Sequence, residues 1–214
     1  MDLPSIIPIF PLPNVVLFPG VPLPLHIFEP RYRDMVRDST GGHELIGMAL
    51  LRGDWQRQYQ GNPEIFEIGC AGRIVSAEPL EDGRFNILLH GVREFTVCRQ
   101  IFDRPYRQAE IAWRPVRTAA LALTVRDALT QRLGQFLRTL PESPAHRLLR
   151  DPSLSDELLV NFVSFALDID PLEKQGLLQA DCLESRARRL TEILEFHLEE
   201  ARLSPGRPGS ERCH

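Results

Sequence analysis

An α+β fold is expected of this chain, with a first half of short strands followed by helices. Three features carry that expectation. Seven prolines, at 4, 8, 11, 13, 19, 22 and 24, interrupt an opening stretch that holds no Asp, Glu, Lys or Arg from Leu3 to Phe28. Apolar residues between 72 and 102 recur at every second position, and from about residue 120 onward they recur at a helical spacing instead.

The opening stretch is apolar enough to resemble a membrane span, and its prolines forbid that reading. Each proline removes a backbone donor and costs about 3 kcal/mol in a helix interior. The backbone left unpaired by so many prolines has no place in lipid. A signal peptide fits no better, because Asp2 follows Met1, no basic leader precedes the apolar run, and no small-residue cleavage site follows it. Edge or bulged strands within a globular core are the expected form.

Glu29-Pro30 then opens a helix, with proline at the first helical position and Tyr32, Met35 and Val36 on one face; Gly41-Gly42 ends it. A strand is expected over 44–51, a polar loop over 53–63 carrying Trp55 and Tyr59, and a strand from Glu64, with a bend or bulge at Gly69 and Gly72. Phe85, Ile87 and Leu89 share one face and Phe95, Val97 and Ile101 another, and Asp82-Gly83 closes a hairpin. One more strand over 106–114 completes six, the spacing of a small antiparallel barrel or sandwich.

Helical stripes follow: Val125, Leu129, Leu133, Phe136 and Leu140, then Leu158, Leu159, Phe162, Val163 and Ala166. Asp170-Pro171-Leu172-Glu173 reads as a cap with proline at N1 and an acid at N3, and Asp181 with Glu184 repeats the spacing. A last helix carries Leu183, Ala187, Leu190, Leu194 and Leu198. The expected organisation is a β domain over 1–117, a helical subdomain over 118–203 and a disordered tail over 204–214.

Composition narrows the function classes. Basic against acidic residues number 16 to 15 over 1–141, 6 to 13 over 142–200 and 3 to 1 over 201–214. Cys70, Cys98, Cys182 and Cys213 stand far apart without a C-x-x-C pair, as expected of reduced thiols in the cytoplasm. Lys174 is the sole lysine and lies in Leu-Glu-Lys-Gln-Gly, so neither a phosphate-binding P-loop nor a Ser–Lys dyad is expected. A nucleophile elbow, a dinucleotide fingerprint and a zinc helix are also missing. Histidines 26, 43, 90, 146, 197 and 214 show no ligand spacing, and Asp170 is explained by capping. No catalytic residue, metal ligand or cofactor is assigned.

Arginines do gather, at 93, 99, 104, 107, 114 and 117, with Phe102 and Tyr106 among them. RNA-binding surfaces interleave arginine and aromatics in this way. Glu94, Asp103 and Glu110 dilute the cluster, strand alternation would split it between faces, and the sequence pI of about 5.9 offers no general attraction to phosphate.

The segments IFPLPNVVLFPG (9–20) and PLPLHIFEPRYRDM (22–35) resemble the start of the Lon protease N-terminal, substrate-binding domain family. IGMALL (46–51), YQGNPEIFEIGCAGRIVSAE (59–78) and GRFNILLHGVREF (83–95) resemble its later strands, and the likeness extends over about residues 5–200. It implies a PUA-like six-stranded pseudo-barrel followed by a helical bundle, in a stand-alone, cytoplasmic bacterial protein without the ATPase and protease domains. It further implies a non-enzymatic module for exposed or unfolded polypeptide, acting as adaptor to a separate ATP-dependent protease or chaperone; the alternative is an RNA-binding PUA-like module. Pro11, Asn14, Phe18, Pro19, His26, Glu29, Arg31, Gly69 and Gly72 match the family's structural motifs. Trp55 and Tyr59, on a polar loop, are candidate anchors for an apolar segment or else a lid over the barrel; Phe28 and Tyr32 join them as candidate polypeptide contacts.

Overall fold

A computed structural model describes residues 3–58, 61–116, 120–139 and 154–203. The chain forms two compact units, one of Met1–Thr118 with Asn161–Gln179, the other of Ala119–Val160 with Ala180–His214. This departs from the simple succession of a 1–117 domain and a 118–203 subdomain, because residues 161–179 lie with the strands. Two side-chain amides there satisfy sheet-unit backbone: Asn161 Nδ2 donates to Pro19 O at 3.0 Å and Gln175 Nε2 to Ile68 O at 2.9 Å. The expected tail over 204–214 lies outside the described residues.

The first unit holds β1 (Ile6–Leu12), β2 (Pro22–Ile27), α1 (Pro30–Thr40), β3 (Leu45–Leu50), β4 (Ile68–Pro79), β5 (Phe85–Ile101) and β6 (Gln108–Trp113). The sheet order is β2-β5-β4-β3-β1-β6, and β5 also pairs with β6, so the sheet closes on itself. All pairings are antiparallel except β1 with β3. The proline-rich β1 is not a simple edge strand: Ile6–Pro8 pair only with β6 and Ile9–Leu12 only with β3. Each half is therefore locally one-sided, which is how Pro8 and Pro11 are accommodated without a missing ladder bond. β2, carrying Pro22 and Pro24, does lie on an edge, paired only to the first part of β5.

Inside the closed sheet Ile7, Ile9, Leu45, Ala49, Leu51, Ile65, Ala71, Phe95, Ala109 and Ile111 form the core. Gly69 and Gly72 do different work there. At Gly69 a Cβ would run into the Met48 carbonyl and lie 2.6 Å from the Phe95 ring, so only glycine lets that ring close against the backbone. Gly72 sits at a register shift between β4 and β5, a bulge in the expected place. Gly83, at φ 79°, turns the hairpin between β4 and β5. The strand expected from Glu64 starts at Ile68, preceded only by an isolated Leu51–Ile65 bridge.

Helix α3 (Asp156–Ala166) and α4 (Pro171–Gln179) follow α2 (Leu123–Leu137), and α5 runs over Leu183–Leu203. The α2 stripe is Val125, Leu129, Leu133 and Leu137, so Leu137 replaces the expected Phe136, and Leu140 lies outside the described residues. Along α3 the buried face runs through Leu159, Val160, Asn161, Val163 and Ser164 while Ala166 is exposed. The cap at Asp170 forms as expected, its carboxylate accepting Leu172 N–H at 2.7 Å and Glu173 reaching back to Asp170 N–H at 3.2 Å. The α5 cap does not: Cys182, not Asp181, takes the Ser185 N–H on its sulfur at 3.4 Å. All five predicted apolar residues of α5 are buried, and Arg132 of α2 pairs with Glu195 of α5 at 2.7 Å.

Candidate functional site

Where the chain leaves β5 and turns through residues 102–107 into β6, it meets the first turn of α1. Between them lies a pocket of about 130 Å³ lined by Pro11, Arg31, Tyr32, Leu51, residues 61–63, Phe102 and residues 104–107. The α1 side is fixed by its opening sequence. Pro30 sets the first helical residue, and Arg31 folds back to Glu29, with Nη2 2.9 Å from Oε2. The Arg31 guanidinium lies 4.6 Å over the Tyr32 ring, which packs on Phe10 at 4.4 Å.

The loop side is tied to the same helix by one carboxylate. Asp38 Oδ2 accepts the Tyr106 hydroxyl at 2.7 Å and the Arg104 guanidinium at 3.0 Å. Tyr106 is buried, and burial together with that bond pushes its hydroxyl up to about 12. On the far side of Arg104 and Tyr106 a second, more open cavity of about 360 Å³ is walled by Ile6, Pro8, His43 and Gln108.

Arg107 is the buried arginine of the three that line the first pocket. It is 6% exposed; Nη2 donates to Pro63 O at 2.8 Å, and the guanidinium stands 5.5 Å over the Phe102 ring, which is 52% exposed. Its Nε and Nη1 have no hydrogen-bond partner among the described residues. Burial lowers its affinity for a proton. The pocket thus presents apolar and aromatic walls, one exposed phenyl ring and a desolvated cation with donors to spare.

The family model of the ATP-dependent protease La (LON) substrate-binding domain matches residues 6–195. The chain belongs to this family. It is 27% identical over 207 residues to a Lon protease of Flavobacterium johnsoniae, covering 94% of this chain and 25% of that protein. With a Lon protease 2 of Myxococcus xanthus the identity is 26% over 208 residues, 95% of this chain and 25% of the relative. The chain thus spans about a quarter of the length of the Lon proteases it matches. The crystal structure of a Lon N-terminal domain protein from Xanthomonas campestris superposes with a TM-score of 0.64 at 25% identity, covering 90% of this chain and 98% of that one. The N-terminal domain of a Mycobacterium avium complex Lon protease shares the fold, with a TM-score of 0.67 at 14% identity, over 90% of this chain and 99% of that one.

In this Lon substrate-binding domain, the candidate polypeptide contacts are dispersed. Tyr32 lines the pocket but is itself buried. Phe28 is 60% exposed and stands apart, its ring 6.4 Å from that of His26. Arg84 approaches His26 Nε2 at 3.1 Å and can only donate, so Nδ1 carries the proton that bonds Asn86 Oδ1 at 2.8 Å. Trp55 is half-buried against the barrel core, and Tyr59 lies outside the described residues. Of the family-motif residues, Pro11 lines the pocket, Phe18 is fully buried, Pro19 takes the Asn161 bond, and Asn14 is exposed. Phe102, Tyr106 and Arg107, which sequence reasoning placed in an RNA-type cluster, are the residues the fold brings to the pocket.

Three of the six arginines in that cluster are paired with acids. Arg99 pairs with Glu110 at 3.2 Å, Arg104 with Asp38, and Arg114 with Glu94 at 3.2 Å; Arg93 donates to Arg114 O at 2.6 Å. Arg117 lies outside the described residues. Among the described residues no group of three or more His, Cys, Asp or Glu side chains could hold a metal ion, and no helix is long and apolar enough to cross a membrane. Cys70 is a buried thiol, and Cys98 and Cys182 are exposed ones.

Proposed function

We propose that the chain is a non-enzymatic module that recognises exposed or unfolded polypeptide segments in the cytoplasm and acts as adaptor to a separate ATP-dependent protease or chaperone. The observation that carries this reading is the pocket between α1 and the 102–107 loop. An unfolded segment differs from a folded surface in offering apolar side chains and unpaired backbone acceptors together. The pocket answers both, with the exposed Phe102 ring and the Pro11, Tyr32 and Pro105 walls for the former and the Arg107 donors for the latter. Membership of the substrate-binding family supports the same reading. The engagement of Arg99, Arg104 and Arg114 by acids favours it over RNA.

The test is titration of a permanently unfolded, labelled polypeptide against the full chain and its Phe102→Ala variant. The variant is expected to bind about 30-fold more weakly, the roughly 2 kcal/mol of an aromatic hot spot, with an unchanged melting temperature because the ring is mostly in solvent. Single-stranded RNA in the same assay should show no salt-sensitive binding, and the pure chain should turn over neither ATP nor casein. Equal affinity of both proteins for the polypeptide moves the site elsewhere.

A further inference from the structure

Three arginines line the pocket and no carboxylate does. Two have their counter-charge at hand, Arg31 in Glu29 and Arg104 in Asp38. Arg107 has none. Its one hydrogen-bond acceptor among the described residues is the neutral Pro63 carbonyl, and the nearby Arg31 guanidinium adds positive charge rather than relieving it. A guanidinium that is 6% exposed, with Nε and Nη1 unpartnered among the described residues, is a cation taken out of water with its compensation incomplete. An internal backbone carbonyl would supply a dipole and leave the charge standing. A carboxylate would supply acceptors and charge together, in the geometry a guanidinium prefers.

Size and wall chemistry narrow the carboxylate. About 130 Å³ is the scale of a cavity that takes a single aromatic ring, so the pocket has room for one residue of a bound polypeptide. Besides its arginines and Asn62, its walls include Phe102, Tyr32, Leu51 and prolines, which suit an apolar side chain beside the anion. We infer that Arg107 receives the free C-terminal carboxylate of a bound polypeptide, with the side chain of its last residue against Phe102 and Tyr32. The Phe102 ring, which stands over the guanidinium and is half in solvent, turns aside to admit it.

The inference rests on the polypeptide-binding reading above and is tested apart from it. Three labelled peptides are compared on the full chain: one ending in leucine with a free carboxylate, the same peptide as its C-terminal amide, and that amide with one internal aspartate. The free acid is expected to bind ten- to a hundred-fold more tightly than either amide, the range of a charge-assisted bond in a desolvated site. Arg107→Met is expected to abolish the difference between acid and amide. Because that variant also loses the bond to Pro63, its fold is checked by circular dichroism, and the acid–amide comparison on the unaltered protein stands whether or not it folds. Equal binding of acid and amide overturns the inference while leaving polypeptide binding intact. Recovery of affinity by the internal aspartate overturns it in favour of a side-chain carboxylate, and Arg107-dependent binding of an oligonucleotide overturns it in favour of phosphate. Failure of all three peptides and of the unfolded polypeptide sinks both readings.

Discussion

Tyr106→Phe removes one oxygen atom and tests how the pocket loop is held. In the wild-type chain the hydroxyl is buried and donates to Asp38 Oδ2 at 2.7 Å, linking the loop between β5 and β6 to α1. A hydrogen bond to a charged acceptor contributes about 1.5–3 kcal/mol when both partners are desolvated. Here the Asp38 side chain is 45% exposed and keeps its contact with Arg104, so water and Arg104 take over most of what the phenol supplied. The expected loss is therefore about 1 kcal/mol, below that range. In a unit of this size that lowers the melting temperature by about 2–4 °C. Both tryptophans, Trp55 and Trp113, lie in the first unit, so intrinsic fluorescence reports its transition without contribution from the second.

The same substitution carries a pH signature whose sign follows from the shift. The phenol moves from 10.0 to about 12 in the folded chain, so the folded state holds its proton where the unfolded state releases it. The stabilisation is complete below pH 10 and disappears as the pH rises from 10 toward 12, since in that window the unfolded chain binds fewer protons. The stability difference between wild type and Tyr106→Phe should be constant up to about pH 9 and shrink toward pH 11, measured by urea unfolding at each pH. A difference that is absent at neutral pH, or stays flat through that window, refutes the tether.

Other substitutions probe the scaffold. Gly69→Ala should cost at least about 2 kcal/mol, because the added carbon meets the Met48 carbonyl and the Phe95 ring, neither of which has room to retreat; a lower urea midpoint at unchanged slope would register it. Asp170→Ala should destabilise by about 1 kcal/mol through loss of the carboxylate that accepts the Leu172 N–H, the backbone N–H at 170 keeping its bond to Glu173, seen in urea unfolding followed by circular dichroism. Trp55→Ala should cost about 2 kcal/mol, since the indole is half-buried against the core, and leave unfolded-polypeptide binding unchanged; weaker binding at unaltered stability would instead make Trp55 an anchor.

What was legible in the sequence is what local periodicity and turn chemistry encode. The alternation over 85–101, the Asp82-Gly83 turn, the proline-opened α1 and the Asp170 capping box all depend on residues a few positions apart, and all appear where expected. Choices that depend on what lies opposite were not legible. Phe136 and Leu137 both fit a 3.6-residue stripe, and only the packing of α2 on α5 selects Leu137. A thiol cap at Cys182 was missed because Asp181 is the commoner acceptor and stands one position earlier. The buried Asn161 and Ser164 break the apolar pattern of α3, and the reason for Asn161, the carbonyl of Pro19, lies 142 positions away.

The pocket belongs to this second kind, and the length of β5 explains where it forms. With 17 residues β5 serves two different partners in succession, β2 along its first part and β6 along its last, while β4 follows its other edge. A strand that changes partner in this way must carry β6 around to meet β1, and the short link over 102–107 is what makes that turn. Its position against α1 is fixed by Asp38, and Arg107 is drawn beneath Phe102 because the next residue, Gln108, is already committed to pairing with Pro8 and Ile101. Residues that looked like an exposed basic run in sequence are thereby split: Arg104 is left outside on a carboxylate and Arg107 is folded inward without one. The same closure that completes the hydrophobic core thus leaves a buried cation without a carboxylate partner among the described residues, next to an exposed aromatic ring.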